Sequence, residues 1–101
     1  MRDDGRFQWD EPKSQANRLK HGIGFEEACT AWDDERGLDE ALRFVTEPRR
    51  VRIAAVGGKL WFCVYTLRGE TIRIISVLRA RISEERAYGD GRKHPWNDPQ
   101  P

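Results

Sequence analysis

The chain has 101 residues, a charged fraction of 35% and a formal net charge of +1. That length suits one domain with its own core, and the charge total alone singles out no polyanion or membrane partner. The opening MRDDGRF lacks the apolar core of a signal peptide, and no apolar run approaches the length that spans a bilayer, so a soluble, cytoplasmic protein is expected.

Phe7-Gln8-Trp9 reads as a short extended entry, and Asp10-Glu11-Pro12 as a helix start, with Asp10 placed to cap and proline tolerated in the first turn. The spacing predicts a helix to about His21, stopped by Gly22. Ala16, Leu19 and Ile23 are expected on its inner face, while Lys13, Asn17, Lys20 and His21 share a separate stripe. A second helix is predicted from Phe25 to Trp32, packing through Phe25, Ala28, Cys29 and Trp32, with Glu26 and Glu27 in the first turn. The acidic stretch Asp33 to Glu40 reads as a solvated loop. Strands follow at Leu42 to Thr46 and Val51 to Val56, with a turn at Glu47-Pro48 between them and Gly57-Gly58 after them.

Leu60 to Leu78 is the longest stretch of strand-forming residues, two runs of Trp, Phe, Val, Tyr, Ile and Thr around Arg68-Gly69-Glu70, and it predicts a central antiparallel hairpin. Ser83, with Glu84 and Glu85 behind it, opens a short C-terminal helix carrying Arg86 and Tyr88. The expected architecture is α+β: two N-terminal helices, a four-stranded antiparallel sheet and a C-terminal helix in a single domain over residues 1–88. The helices are expected mainly on one sheet face, leaving the other for a partner to cover. Residues 89–101, with three prolines and a lone Trp96, have no periodicity and read as a mobile tail.

Cys29 and Cys63 have neither zinc nor disulfide-framework spacing and are read as buried free thiols. No phosphate loop, nucleophile elbow or triad is visible, so no cofactor and no metal are expected. What remains is the placement of charge. Residues 49–82 hold 8 Lys or Arg against 1 Asp or Glu, while residues 1–48 hold 7 against 12. A positive field over the sheet can bind a polyanion without a basic molecule overall. Lys20, His21, Arg52, Arg68, Arg73 and Arg79 together suit RNA cleavage by its own 2′-hydroxyl, which needs a base, an acid and positive charge around the phosphorane. The same residues also fit plainer roles. Lys20 and His21 complement a helix C-terminus, strand arginines pair with neighbouring acids, and Tyr65 and Tyr88 fit a core or its rim.

Several segments, taken in order, resemble the BrnT family of toxins: Trp9-Asp10-Glu11-Pro12-Lys13, Asn17, Lys20-His21-Gly22, Phe25-Glu26-Glu27-Ala28, Arg52, Ala55-Val56-Gly57, Val64-Tyr65-Thr66, Arg68-Gly69, Ile72-Arg73-Ile74-Ile75-Ser76, Glu84, Arg86 and Tyr88. The resemblance spans about residues 7–88. It implies a RelE-like fold and a metal-independent ribonuclease that inhibits translation. It also implies a BrnA-like ribbon-helix-helix antitoxin, which covers the sheet face and through which alone operator DNA is met. By position it makes Lys20, His21, Arg52 and Arg79 the catalytic set and Arg68, Arg73 and Tyr88 the RNA contacts.

Two departures stand out. Leu78 occupies the place of the family's usual arginine, which comes one residue later as Arg79, and Val51 replaces the usual acid before Arg52. A one-residue shift on a strand moves a side chain to the other face. The alternative is therefore a catalytically weakened member that binds antitoxin and co-represses its operator. A plain RNA-binding module is a third reading, although the sheet lacks an obvious run of exposed aromatics for base stacking.

Overall fold

The computed structural model describes residues 2–42 and 48–90. A six-stranded sheet forms the body, built from β1 (Arg2–Asp3), β2 (Phe7–Trp9), β3 (Leu38–Ala41), β4 (Arg50–Val56), β5 (Lys59–Arg68) and β6 (Thr71–Arg79) in the order β1-β2-β6-β5-β4-β3. All neighbours are antiparallel except β2 and β6, which run parallel with Phe7 opposite Ile72. The α+β class stands, but the expected four-stranded antiparallel sheet is corrected to six strands and a mixed sheet. Two physical causes account for the difference. The apolar entry Phe7-Gln8-Trp9 does not end outside the sheet but takes the open edge of β6. Within the acidic stretch, Leu38–Ala41 pairs with β4, and Asp39, although still exposed, faces Arg52 across the ladder and forms an ion pair with it.

The central hairpin forms as its residues dictate. β5 and β6 pair from Trp61 opposite Arg79 to Arg68 opposite Thr71, around a turn where Gly69 takes φ 61°. A register shift at Val64/Tyr65 leaves Ile75 as an extra residue on β6. One sheet face carries Ala54, Trp61, Cys63, Ile74 and Val77, packed with Phe7, Trp9, Ile23, Phe25, Ala28 and Ala31 into one core. On the other face Val51 and Ile53 are fully buried, and the C-terminal helix α3 (Ile82–Asp90) packs against β4. The expectation of a wholly uncovered second face therefore does not hold at β4. It holds in part at Phe62 and at Leu78, its partner in register.

The first helix, α1 (Glu11–His21), ends as expected at Gly22, whose φ of 83° needs a residue without Cβ. Asp10 sits at the cap position, but its side chain makes no capping hydrogen bond. The packing of α1 reverses the expected polarity: Leu19 is 89% exposed and Ala16 is exposed, while Ser14 and Asn17 are buried. The inward turn of α1 is polar because its task is to satisfy backbone. Ser14 Oγ accepts from the Phe25 N–H at 2.8 Å, and Asn17 bonds to Ile23 and Val77. The next predicted helix is in two parts, α2 (Phe25–Ala28) and a 3-10 turn (Cys29–Asp33). Of its expected packing face Phe25 and Ala28 are buried while Cys29 and Trp32 are half-buried, and the tighter turn brings Ala31 inside as well. Ser83 is the second residue of α3 and not its cap, and Gly89 and Asp90, read as tail, belong to that helix. Residues 43–46 of the expected first strand, Glu47 of its turn and residues 91–101 of the tail, with Trp96, lie outside the described residues.

Candidate functional site

β2 leaves the sheet at Trp9 after pairing with only two residues of β6, so the rest of the β6 edge is met by a helix instead of a strand. Asn17 makes that junction. Its Nδ2 donates to the carbonyls of Ile23 at 2.9 Å and Val77 at 3.0 Å, and its Oδ1 accepts from the Val77 N–H at 3.3 Å. The outward N–H and C=O of Val77 on this edge are thus closed by one buried amide. Beside this seam lies an open groove of about 230 Å³, walled by Lys13, Lys20 and His21 of α1 and by Ile75 and Ser76 of β6, with Asn17 and Phe25 beneath. Lys13, Lys20 and His21 recur at helical spacing, and no carboxylate lines the groove. Lys20 is exposed and His21 half-buried. Neither they nor Lys13 form an ion pair among the described residues.

Arg52 is placed quite differently. It is 9% exposed, on the inner face of β4, and three of its nitrogens are engaged: Nε donates to Ala31 O at 2.9 Å, Nη2 to Asp34 O at 2.7 Å, and Nη1 to Asp39 Oδ2. Asp39 also accepts from the Tyr65 hydroxyl at 2.6 Å, and Arg50 Nε donates to that same hydroxyl at 3.3 Å. Burial, helped by the Asp39 contact, pushes the Tyr65 phenol up to about 12. Gly37 lies flat against the guanidinium, where a Cβ would collide with it. Arg52 therefore ties the 3-10 turn and β3 to β4.

The other expected site residues are dispersed. Arg79 pairs in register with Trp61 and holds its guanidinium 5.4 Å from that ring centroid, a cation-π arrangement on the face away from Leu78. Arg68 is exposed at the hairpin end, and Arg73 lies on β6 opposite Thr66 and beside Gln8 of β2. Tyr88 donates from its hydroxyl to Asp34 Oδ2 at 2.9 Å under the guanidinium of Arg36. Of the four residues expected to be catalytic, Lys20 and His21 share a groove; Arg52 and Arg79 do not line it. Lys13, Asn17 and Ser76 were not among the expected site residues, although the stripe Lys13, Asn17, Lys20, His21 is visible in the sequence as a helical spacing.

A family model described as "Ribonuclease toxin, BrnT, of type II toxin-antitoxin system" matches residues 9–84. The chain belongs to this family. The match starts at Trp9, the last residue of β2, takes in the groove and Arg52, and ends at Glu84, two residues after α3 begins. Membership makes this BrnT chain a toxin component of a type II toxin-antitoxin system and a member of a ribonuclease family, with RNA as its substrate and an antitoxin as its partner. No curated protein matches it. Among the described residues no helix is long and apolar enough to cross a membrane.

Proposed function

We propose that the chain is a metal-independent endoribonuclease that inhibits translation by cutting RNA in the groove between α1 and β6. The observation that carries this reading is the pairing of Lys20 with His21 in a groove lined by cations and no carboxylate. Such a lining attracts a phosphodiester and offers imidazole and ammonium chemistry, whereas divalent cations are held mainly by oxygen ligands. In the proposed step the 2′-hydroxyl attacks the adjacent phosphorus and passes its proton to His21. The bond to the 5′-oxygen breaks, and Lys20 supplies the proton to that leaving oxygen. The products are a 2′,3′-cyclic phosphate and a 5′-hydroxyl, with Arg68, Arg73 and Arg79 extending the positive surface toward the flanking strand. Arg52 acts on this site by holding the sheet, since its donors are already engaged.

The partner is proposed to be a BrnA-like ribbon-helix-helix antitoxin seated on the sheet face where Phe62 and Leu78 remain partly uncovered, with operator DNA met only through it. The setting is proposed to be the cytoplasm, where transcripts are translated. Purified wild-type chain should cut RNA in excess chelator and leave a cyclic phosphate, and H21A or K20A should lose about 10²–10⁴-fold in rate with unchanged folding. Wild-type cleavage rates in both folded variants would reject the site.

A second reading has its own support: a catalytically weakened member that binds antitoxin and co-represses the operator. Arg52 is engaged in the fold, Arg79 stacks on Trp61, and Leu78 stands where the resemblance to the family leads one to expect arginine. Induced expression without antitoxin separates the two, since growth arrest with transcript loss belongs only to the first.

A further inference from the structure

Lys13 has no part in the proposed proton transfers, yet it lines the same groove as Lys20 and His21 and has no ion-pair partner among the described residues. It lies seven residues before Lys20, two helical turns, which sets the two backbone positions about 10 Å apart along α1. Side chains on a helix all lean toward its N-terminus, so the two ammonium groups keep that separation and do not converge on one point. Between them the groove floor is Asn17, pinned to Val77, so α1 cannot slide along β6 to bring them together.

We propose that Lys13 forms a second phosphate subsite, upstream on α1 from the Lys20 and His21 pair, so that the groove holds a nucleic acid strand by at least two of its phosphates. This rests on the groove being the RNA site. The strand lies along α1 with one phosphate at Lys20 and His21 and another at Lys13. Ile75 and Ser76, raised toward the groove by the extra residue in β6, face the nucleotide between them.

Binding to a 2′-O-methyl oligonucleotide of eight residues tests the subsite without needing cleavage. By fluorescence anisotropy, K13A should weaken binding about fivefold and K13R should restore it. The slope of log K against log salt should become shallower by about 0.7 in K13A. A dinucleotide with a single phosphate should bind K13A and wild type equally. Equal affinity of K13A and wild type for the eight-residue strand would overturn the proposal, as would equal losses on both ligands. So would intact RNA binding with weakened antitoxin capture, which would give Lys13 to the protein partner. Cleavage of the matching 2′-hydroxyl strand by wild type tests the ribonuclease reading separately, so either can fail while the other stands.

Discussion

Asn17 and Val77 close a reciprocal pair of hydrogen bonds across the seam between α1 and β6, the amide donating to the Val77 carbonyl and accepting from its N–H. Since Asn17 is 8% exposed, truncating it leaves three buried backbone groups without partners. N17A should cost about 2–3 kcal/mol, a melting temperature lower by roughly 10–20 °C for a domain of this size. N17D should be no better despite its shape, because a carboxylate cannot donate to the carbonyls of Ile23 and Val77. Calorimetry of the two variants checks this.

Arg52 yields a prediction that separates scaffold from chemistry. Removing its side chain leaves the carbonyls of Ala31 and Asp34 and the half-open carboxylate of Asp39 without their donor, at a cost of about 1–3 kcal/mol. R52A should therefore lose activity in proportion to its loss of folded protein, as followed by urea titration and RNA cleavage on the same samples. A fully folded, inactive R52A would return this arginine to the catalytic set.

Gly37 offers an independent route to the same network. A methyl group there meets the Arg52 guanidinium, so G37A should displace it and destabilise the fold by about 1–3 kcal/mol. In the R52A background the same substitution should cost much less, and a double-mutant cycle by chemical denaturation reads the difference.

Acid stability should depend on Asp34. Burial alone would raise its carboxyl, but the N–H groups of Ala55 and Arg36, the Tyr88 hydroxyl and nearby Arg52 outweigh burial and hold it below its usual value. A carboxyl depressed in the folded state contributes stability that is present above its unfolded value, near 3.8, and is lost as pH falls through the folded one. Wild type should lose stability below about pH 4 more steeply than D34N, measured as the urea midpoint from pH 6 to pH 2.

The thiols should be silent in the native state. Burial pushes both Cys29 and Cys63 up to about 12, and Cys63 has no exposed surface. Alkylation at pH 8 should reach Cys63 only on unfolding, by mass spectrometry with and without denaturant.

Much of this was legible in the residues. The hairpin around Gly69, the stop of α1 at Gly22 and the stripe from Lys13 to His21 follow from period and turn chemistry, which act locally. The inward turn of α1 is hidden from a reading of the sequence, because hydropathy points to Leu19 and not to Ser14 or Asn17 as the buried side chains. Ser14 and Asn17 are inside for their hydrogen bonds, and Leu19 is left out. Asp39 was likewise unreadable as a partner for Arg52, since an acidic run carries no mark of the one member that faces a strand. The grouping of Lys20 with His21 survives folding because both lie on one helix. The expected convergence of Arg52 and Arg79 on them depended on long-range geometry that spacing does not encode.

The parallel pairing of β2 with β6 joins Phe7 to Ile72, nearly the two ends of the domain. During synthesis α1 emerges early and waits, because the wall that completes its groove is among the last strands translated. On the proposed reading of the groove as the cutting site, a chain that needs both walls spares the messenger that encodes it until translation is nearly finished, and an antitoxin already present has that interval in which to meet it.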